Sequence, residues 1–156
     1  MANVSLAYRF RQPFHVTADL AFRWCTDYQS SDGKLFSENH RRVVRWLNED
    51  TAILTDTTYP KGRPEVIHRL IRINRSARAW TGTHLDGPFR YSQFWYQVVA
   101  DGARRSHLEF VGLHLETTAR RLSKSEVARR AEALREADSD EWRRYLAPAL
   151  EHDVSS

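Results

Sequence analysis

Cysteine is almost missing from this chain: Cys25 stands alone among 156 residues, so no internal disulfide can form, which suits a reducing compartment. The neighbours of Cys25 are apolar, and the residue reads as a buried, inert thiol rather than a nucleophile. No apolar run approaches the roughly 20 residues needed to cross a bilayer. The opening "MANVSLAYRF" alternates apolar and polar residues and contains Arg9, unlike the charged start and apolar block of a secretory signal. A soluble, cytoplasmic protein without a membrane span is expected. Repeats, low-complexity tracts and linkers are also missing. The expectation is one domain over residues 1–156, large enough to bury a core and enclose a cavity besides.

Several chemistries lack their residues. The seven histidines never fall at HxH or HxxxH spacing, and no second cysteine exists to complete a zinc site, so no metal is expected. "DGKLF" and "DGARR" are isolated turns rather than Gly-rich loops opening a helix, and no nucleotide or other cofactor is expected. No GxSxG elbow supports covalent catalysis. The net charge of +4 comes from arginines spread along the chain and interleaved with acids. The densest groups, "HRRVVR" at 40–45, "ARR" at 103–105 and "ARRLSK" at 119–124, read as solvated faces, and nucleic acid is not an expected partner.

What is present is a change of period. "NVSLAYRF" alternates as a first strand. Thr17 can cap a short helix carrying Leu20, Ala21, Trp24 and Cys25 at helical spacing, stopped by "QSSDGK". β-branched and aromatic residues broken by turn-forming pairs then predict six strands, at about 38–47, 51–59, 64–74, 77–85, 89–100 and 104–116. In the last third Ser123 and Glu126 form a capping box, and Val127, Ala131, Leu134, Trp142, Tyr145, Leu146 and Leu150 make an apolar stripe. A long helix follows, with "ADSD" at 137–140 offering a restart and Pro148 disturbing the last turn. Seven antiparallel strands have a face to cover, and one long helix cannot fill it completely. The space left over is a natural pocket for a small apolar ligand.

The stretch "HVTADLAFRWCTDY", the hairpin "VVADGARRSHLEF" and the long final helix resemble the START-like superfamily, also called the SRPBCC, polyketide cyclase and lipid-transport, or Bet v 1-like group. The similarity covers nearly the whole chain by order of elements. It implies an α+β helix-grip fold: a seven-stranded curved antiparallel sheet around a long C-terminal helix, with short helices after the first strand and a largely apolar cavity between. The family shares no single activity and no common catalytic motif, so no catalytic residue carries over. In such a fold the first short helix plugs one end of the sheet, and Phe22 and Trp24 pack there while Tyr28 edges the pocket.

Strand alternation picks the inner face independently of family. If the loops "NRS", "DGP" and "ADGA" are of even length, one face collects Arg69 and Ile71, then Trp80 and His84, then Tyr91, Gln93 and Trp95, and finally Leu108, Phe110 and His114. This set carries more apolar area than its alternative, which holds His68, Arg72, Phe94, Tyr96 and Glu109, so it is assigned to the interior. A one-residue slip in any loop would exchange the faces locally. The expected ligand-binding residues are therefore Tyr28, Arg69, Ile71, Trp80, His84, Tyr91, Gln93, Trp95, Phe110 and His114. Arg69 can be matched by Asp56 on the neighbouring strand.

Three functions stand open. The first is binding or carriage of an apolar or aromatic small molecule, such as a lipid, isoprenoid or polyketide. The second is a cyclase or dehydratase without metal or nucleotide cofactor, with His84 or His114 as base and Tyr91 or Arg69 polarising the oxygen. The third is an interaction module with a core filled by its own side chains. A homodimer is compatible with all three.

Overall fold

The computed structural model describes residues 1–29, 32 and 39–153, with side chains up to Arg144 in the last helix. Strand β1 (Ala2–Phe14) leads into helix α1 (Ala18–Thr26). Six strands follow: β2 (Arg41–Asn48), β3 (Thr51–Thr58), β4 (Glu65–Asn74), β5 (Ala79–His84), β6 (Gln93–Ala100) and β7 (Ser106–Thr118). Helix α2 (Lys124–Asp153) ends the chain. The strands form one antiparallel sheet in the order β1-β7-β6-β5-β4-β3-β2. All connections are hairpins except that the first strand pairs with the last, which leaves α1 and α2 to cover the inner face. No described helix is long and apolar enough to cross a membrane.

The local signals explain where elements begin. The Leu20 N–H donates to Thr17 Oγ1 at 3.3 Å, and α1 buries Ala21, Phe22 and Cys25. The expected stop of that helix, 29–34, falls mostly outside the described residues, as does residue 38 at the expected start of β2. At the head of α2 the capping box is formed in both directions: Glu126 N–H donates to Ser123 Oγ at 3.2 Å, and Ser123 N–H to Glu126 Oε2 at 2.8 Å. The helix does not restart at 137–140. Those acids are engaged elsewhere, Asp138 by the Tyr8 hydroxyl and Asp140 by Arg143, so neither serves as a cap. The Tyr145, Leu146 and Leu150 side chains lie outside the described residues.

One strand faces opposite to the expectation. Residues 89–92 form a turn, not the start of β6; Tyr91 adopts φ 69°, its N–H donates to the His84 carbonyl at 2.8 Å, and the His84 N–H donates to the Ser92 carbonyl at 2.9 Å. An odd number of residues lies between the paired Thr83 and Gln93, and again between the paired Ala100 and Ser106. Two slips of one residue invert β6 and then cancel. Phe94, Tyr96 and Val98 therefore point inward beside Trp80, Phe110 and Leu108, while Gln93 and Trp95 point outward. Strands β4, β5 and β7 keep the expected facing: Ile71, Ile73, Trp80, Leu108, Phe110 and His114 are all buried.

The interior is largely aromatic. Phe22 of α1 tilts against Trp80, whose ring stacks on Tyr96 at 4.9 Å, and Tyr96 meets Trp142 of α2 at 5.7 Å. A second group gathers Tyr8, Phe10 and Phe94 around Phe110. Between these groups and α2 the sheet is not filled.

Candidate functional site

The unfilled region is a cavity of about 420 Å³, within the range of small-molecule sites. Apolar walls come from Phe94, Tyr96 and Phe110 on the sheet and from Leu134 and Trp142 on α2. Leu134, Asp138 and Trp142 recur every fourth residue of α2, so one helical stripe delivers all three to the same side. Cys25 and Tyr28 close the end nearest α1. Burial pushes the Tyr28 hydroxyl up to about 12 and holds Cys25 above the ordinary thiol range, so both stay protonated at neutral pH.

The remaining wall is polar. Asp56, buried on β3, accepts from Arg42 Nε at 2.7 Å, from Arg69 Nη2 at 2.8 Å and from His40 Nε2 at 2.8 Å. Burial by itself would raise this carboxyl, but the Arg42 hydrogen bond and the Arg69 charge outweigh it and hold the group well below the usual carboxylate range. It is a permanent anion. Arg69 spends one nitrogen on Asp56, and its other N–H groups have no acceptor among the described residues. They line the cavity.

His84 lies directly across from Arg69 in the β4–β5 ladder, with its ring 5.5 Å from Phe94. Its Nδ1 is buried without a hydrogen-bond partner among the described residues. Burial first, and the nearby Arg69 and His114 next, lower its pKa to about 4. The imidazole is neutral near pH 7 and keeps one lone pair for use as a base. His114 is buried on β7 with its ring 4.4 Å from Phe89. Across the cavity, Asp138 of α2 accepts a hydrogen bond from the Tyr8 hydroxyl of β1. Burial raises the Asp138 carboxyl above its ordinary value despite that bond. Glu141 sits at the exposed rim.

Of the residues expected to line a pocket, Tyr28, Arg69, His84, Phe110 and His114 do so. Ile71 and Trp80, each 2% exposed, form the packed layer behind the wall. Tyr91, 60% exposed, lies in the turn before β6 under the Arg90 guanidinium. Trp95, 39% exposed, and Gln93, whose amide donates to Thr83 Oγ1 at 3.4 Å, belong to the outer face. Tyr91 leaves the site because residues 89–92 turn there rather than extend, and Gln93 and Trp95 leave it because β6 is inverted; Phe94 and Tyr96 take their places. Tyr8, His40, Arg42, Leu134, Asp138, Glu141 and Trp142 join as well. Tyr8 and Asp138 had a visible signal: Tyr8 is in phase with Val4, Leu6 and Phe10, and Asp138 is in phase with Leu134 and Trp142.

No family model matches the sequence, and no curated protein does. Solved structures do match over nearly the whole chain. The Zhui aromatase/cyclase from Streptomyces sp. R1128 superposes with a TM-score of 0.71 at 12% identity, covering 98% of this chain and 96% of that one. A truncated norcoclaurine synthase from Thalictrum flavum gives 0.68 at 14%, covering 97% and 98%. A START superfamily protein from Mycobacterium smegmatis gives 0.67 at 10%, covering 94% and 97%. The chain has the START-like, helix-grip fold. Within the START-like fold of this protein, the cavity between sheet and α2 is the space just described, and polar groups reach it from β1, β2, β4, β5, β7 and α2.

Proposed function

We propose that the cavity binds a small oxygenated aromatic or polyketide-like molecule and performs acid–base chemistry on it, of the cyclase or dehydratase type. One juxtaposition supports this reading: Arg69, His84, His114 and Asp138 arrive from four different elements at one space whose other walls are aromatic. Placing a guanidinium, imidazoles and a carboxyl in a half-buried cavity costs desolvation energy. Passive carriage of an apolar guest needs none of them, because burial of ligand area supplies the affinity.

Phe94, Phe110 and Trp142 would hold the body of the ligand. The unengaged N–H groups of Arg69 draw electron density from a carbonyl oxygen, which acidifies the adjacent C–H. Neutral His84 takes that proton. The enolate so formed either attacks a second carbonyl, forming the ring C–C bond as that C=O π bond opens to an alkoxide that takes the proton back from His84, or expels a β-hydroxyl. In the second case the C–O bond breaks, a C=C bond forms, and a proton delivered through Asp138, whose carboxyl burial biases toward the protonated form, lets the hydroxyl leave as water; the proton taken up by His84 restores the Asp138 carboxyl. Each step is redox-neutral. A protein named as an aromatase/cyclase among those sharing the fold is in keeping with this assignment.

The test uses an aryl β-hydroxy ketone, whose dehydration gives a conjugated enone visible by ultraviolet absorbance. The protein should accelerate the conversion, and His84→Ala, Arg69→Gln or Asp138→Asn should each lower the rate about a hundredfold or more with folding retained. Saturable binding of the ketone without turnover would overturn the enzymatic reading and leave carriage of an aromatic guest, the second reading, which the apolar half of the cavity favours.

A further inference from the structure

Asp138 is held from the edge strand of the sheet. Tyr8 lies on β1, the edge strand that α2 packs against, and its ring leans over the neighbouring β7 where its hydroxyl meets α2. It does so at Gly112, the residue directly opposite Tyr8 in the ladder. A Cβ added at Gly112 would stand 2.8 Å from Tyr8 Cζ and 3.0 Å from Cε1, closer than non-bonded carbons approach. Gly112 does not adopt the left-handed conformation that favours glycine, so backbone freedom does not require it here. The space taken by the Tyr8 ring does. Phe110 packs beside that ring, with centroids 5.7 Å apart, its Cε1 3.1 Å from the same added Cβ, and Tyr8 itself is buried. A glycine inside a strand gives up packing and conformational entropy, and here the gain is a clear path for one phenol.

We propose that Tyr8 is a positioning residue that fixes the orientation and protonation of Asp138 in the cavity, and that Gly112 is the residue that makes its path possible. The inference deepens the acid–base reading of the same cavity and rests on it for its catalytic meaning. A phenol that donates to a carboxyl stabilises the ionised form, so Tyr8 opposes the effect of burial on Asp138. It also leaves one carboxyl oxygen of Asp138, Oδ1, for the ligand, because Tyr8 engages Oδ2. The other ionisable groups around Asp138 are His114 on β7, Glu141 on α2 and Tyr96 on β6.

The experiment is a carboxyl-carbon NMR titration of Asp138 in the whole protein, which needs no substrate, compared among wild type, Tyr8→Phe, Gly112→Ala and the double variant. Tyr8→Phe keeps the ring and should raise the Asp138 midpoint. Gly112→Ala should raise it too, and the double variant should match Tyr8→Phe alone, because both changes break one interaction. An unchanged midpoint in Tyr8→Phe overturns the proposal. A Gly112→Ala protein that folds and keeps the wild-type midpoint overturns the part assigned to Gly112; should it fail to fold, adding Tyr8→Ala, which removes the ring the new Cβ would meet, should restore folding, and a Tyr8→Ala, Gly112→Ala protein that stays unfolded overturns that part. With a substrate that turns over, Tyr8→Phe should lower kcat and move the pH limb that reports Asp138, leaving KM within about threefold. If no ketone is turned over and the Asp138 midpoint still moves, the catalytic reading falls while the positioning of Asp138 stands.

Discussion

At Asp56 a single carboxylate serves two guanidinium groups and an imidazole, so its removal would leave Arg69 without the anion it is paired with and take from Arg42 the carboxylate it meets at 2.7 Å. Asp56→Asn should destabilise the fold by about 3–5 kcal/mol, read from urea unfolding. His84 works in the other direction. Folding favours its neutral form, with the pKa lowered from 6.5 to about 4. The unfolded chain therefore binds the proton more readily. The contribution of this group to stability is complete above pH 6.5, is lost as pH falls toward about 4, and changes no further below that. Urea midpoints measured across that window should fall, and less steeply in His84→Gln. The Arg69–Asp56 pair was legible in the sequence only as a possibility, because the two residues sit on neighbouring strands but the "PKGR" loop between them left the register open. Arg42 was not, because "HRRVVR" places charges on both phases of its strand and reads equally well as a solvated face.

At the scale of elements, seven strands and two helices followed from alternation, turn chemistry and caps. The inversion of β6 did not. Alternation decides which residues share a face within a strand; the parity of a loop decides which face that is. "DGPFRYS" hides its parity because Tyr91, a bulky residue, occupies a left-handed position usually given to glycine or asparagine. The corrected facing has direct consequences for stability. Phe94→Ala should cost about 3 kcal/mol or more, whereas Trp95→Ala should stay within about 1 kcal/mol, and equal losses in urea unfolding would contradict the register. At the head of α2, Ser123→Ala removes one partner of the capping box and should cost about 1 kcal/mol, measured the same way. The acid in the stripe of α2 was also readable, yet binary patterning treats Asp138 as an interruption of the apolar face. The structure shows instead that the interruption is where the helix meets the cavity.

In the whole molecule, sheet and α2 enclose a space lined on one side by aromatic rings and on the other by Arg69, His84, His114 and Asp138. That such a space would exist was deducible from covering a seven-stranded sheet with one long helix; its lining was only half visible, because the turn at 89–92 removed Tyr91 and the inverted strand exchanged Gln93 and Trp95 for Phe94 and Tyr96. The most direct test is amide and aromatic NMR of the protein titrated with naphthol, a small ring system bearing one hydroxyl. Saturable shifts at Tyr28, His84, Phe94, Tyr96, Phe110 and Trp142, reduced in Arg69→Gln, are the predicted result. Shifts confined to Tyr91, Gln93 and Trp95 on the outer face, with the inner residues unmoved, would contradict it.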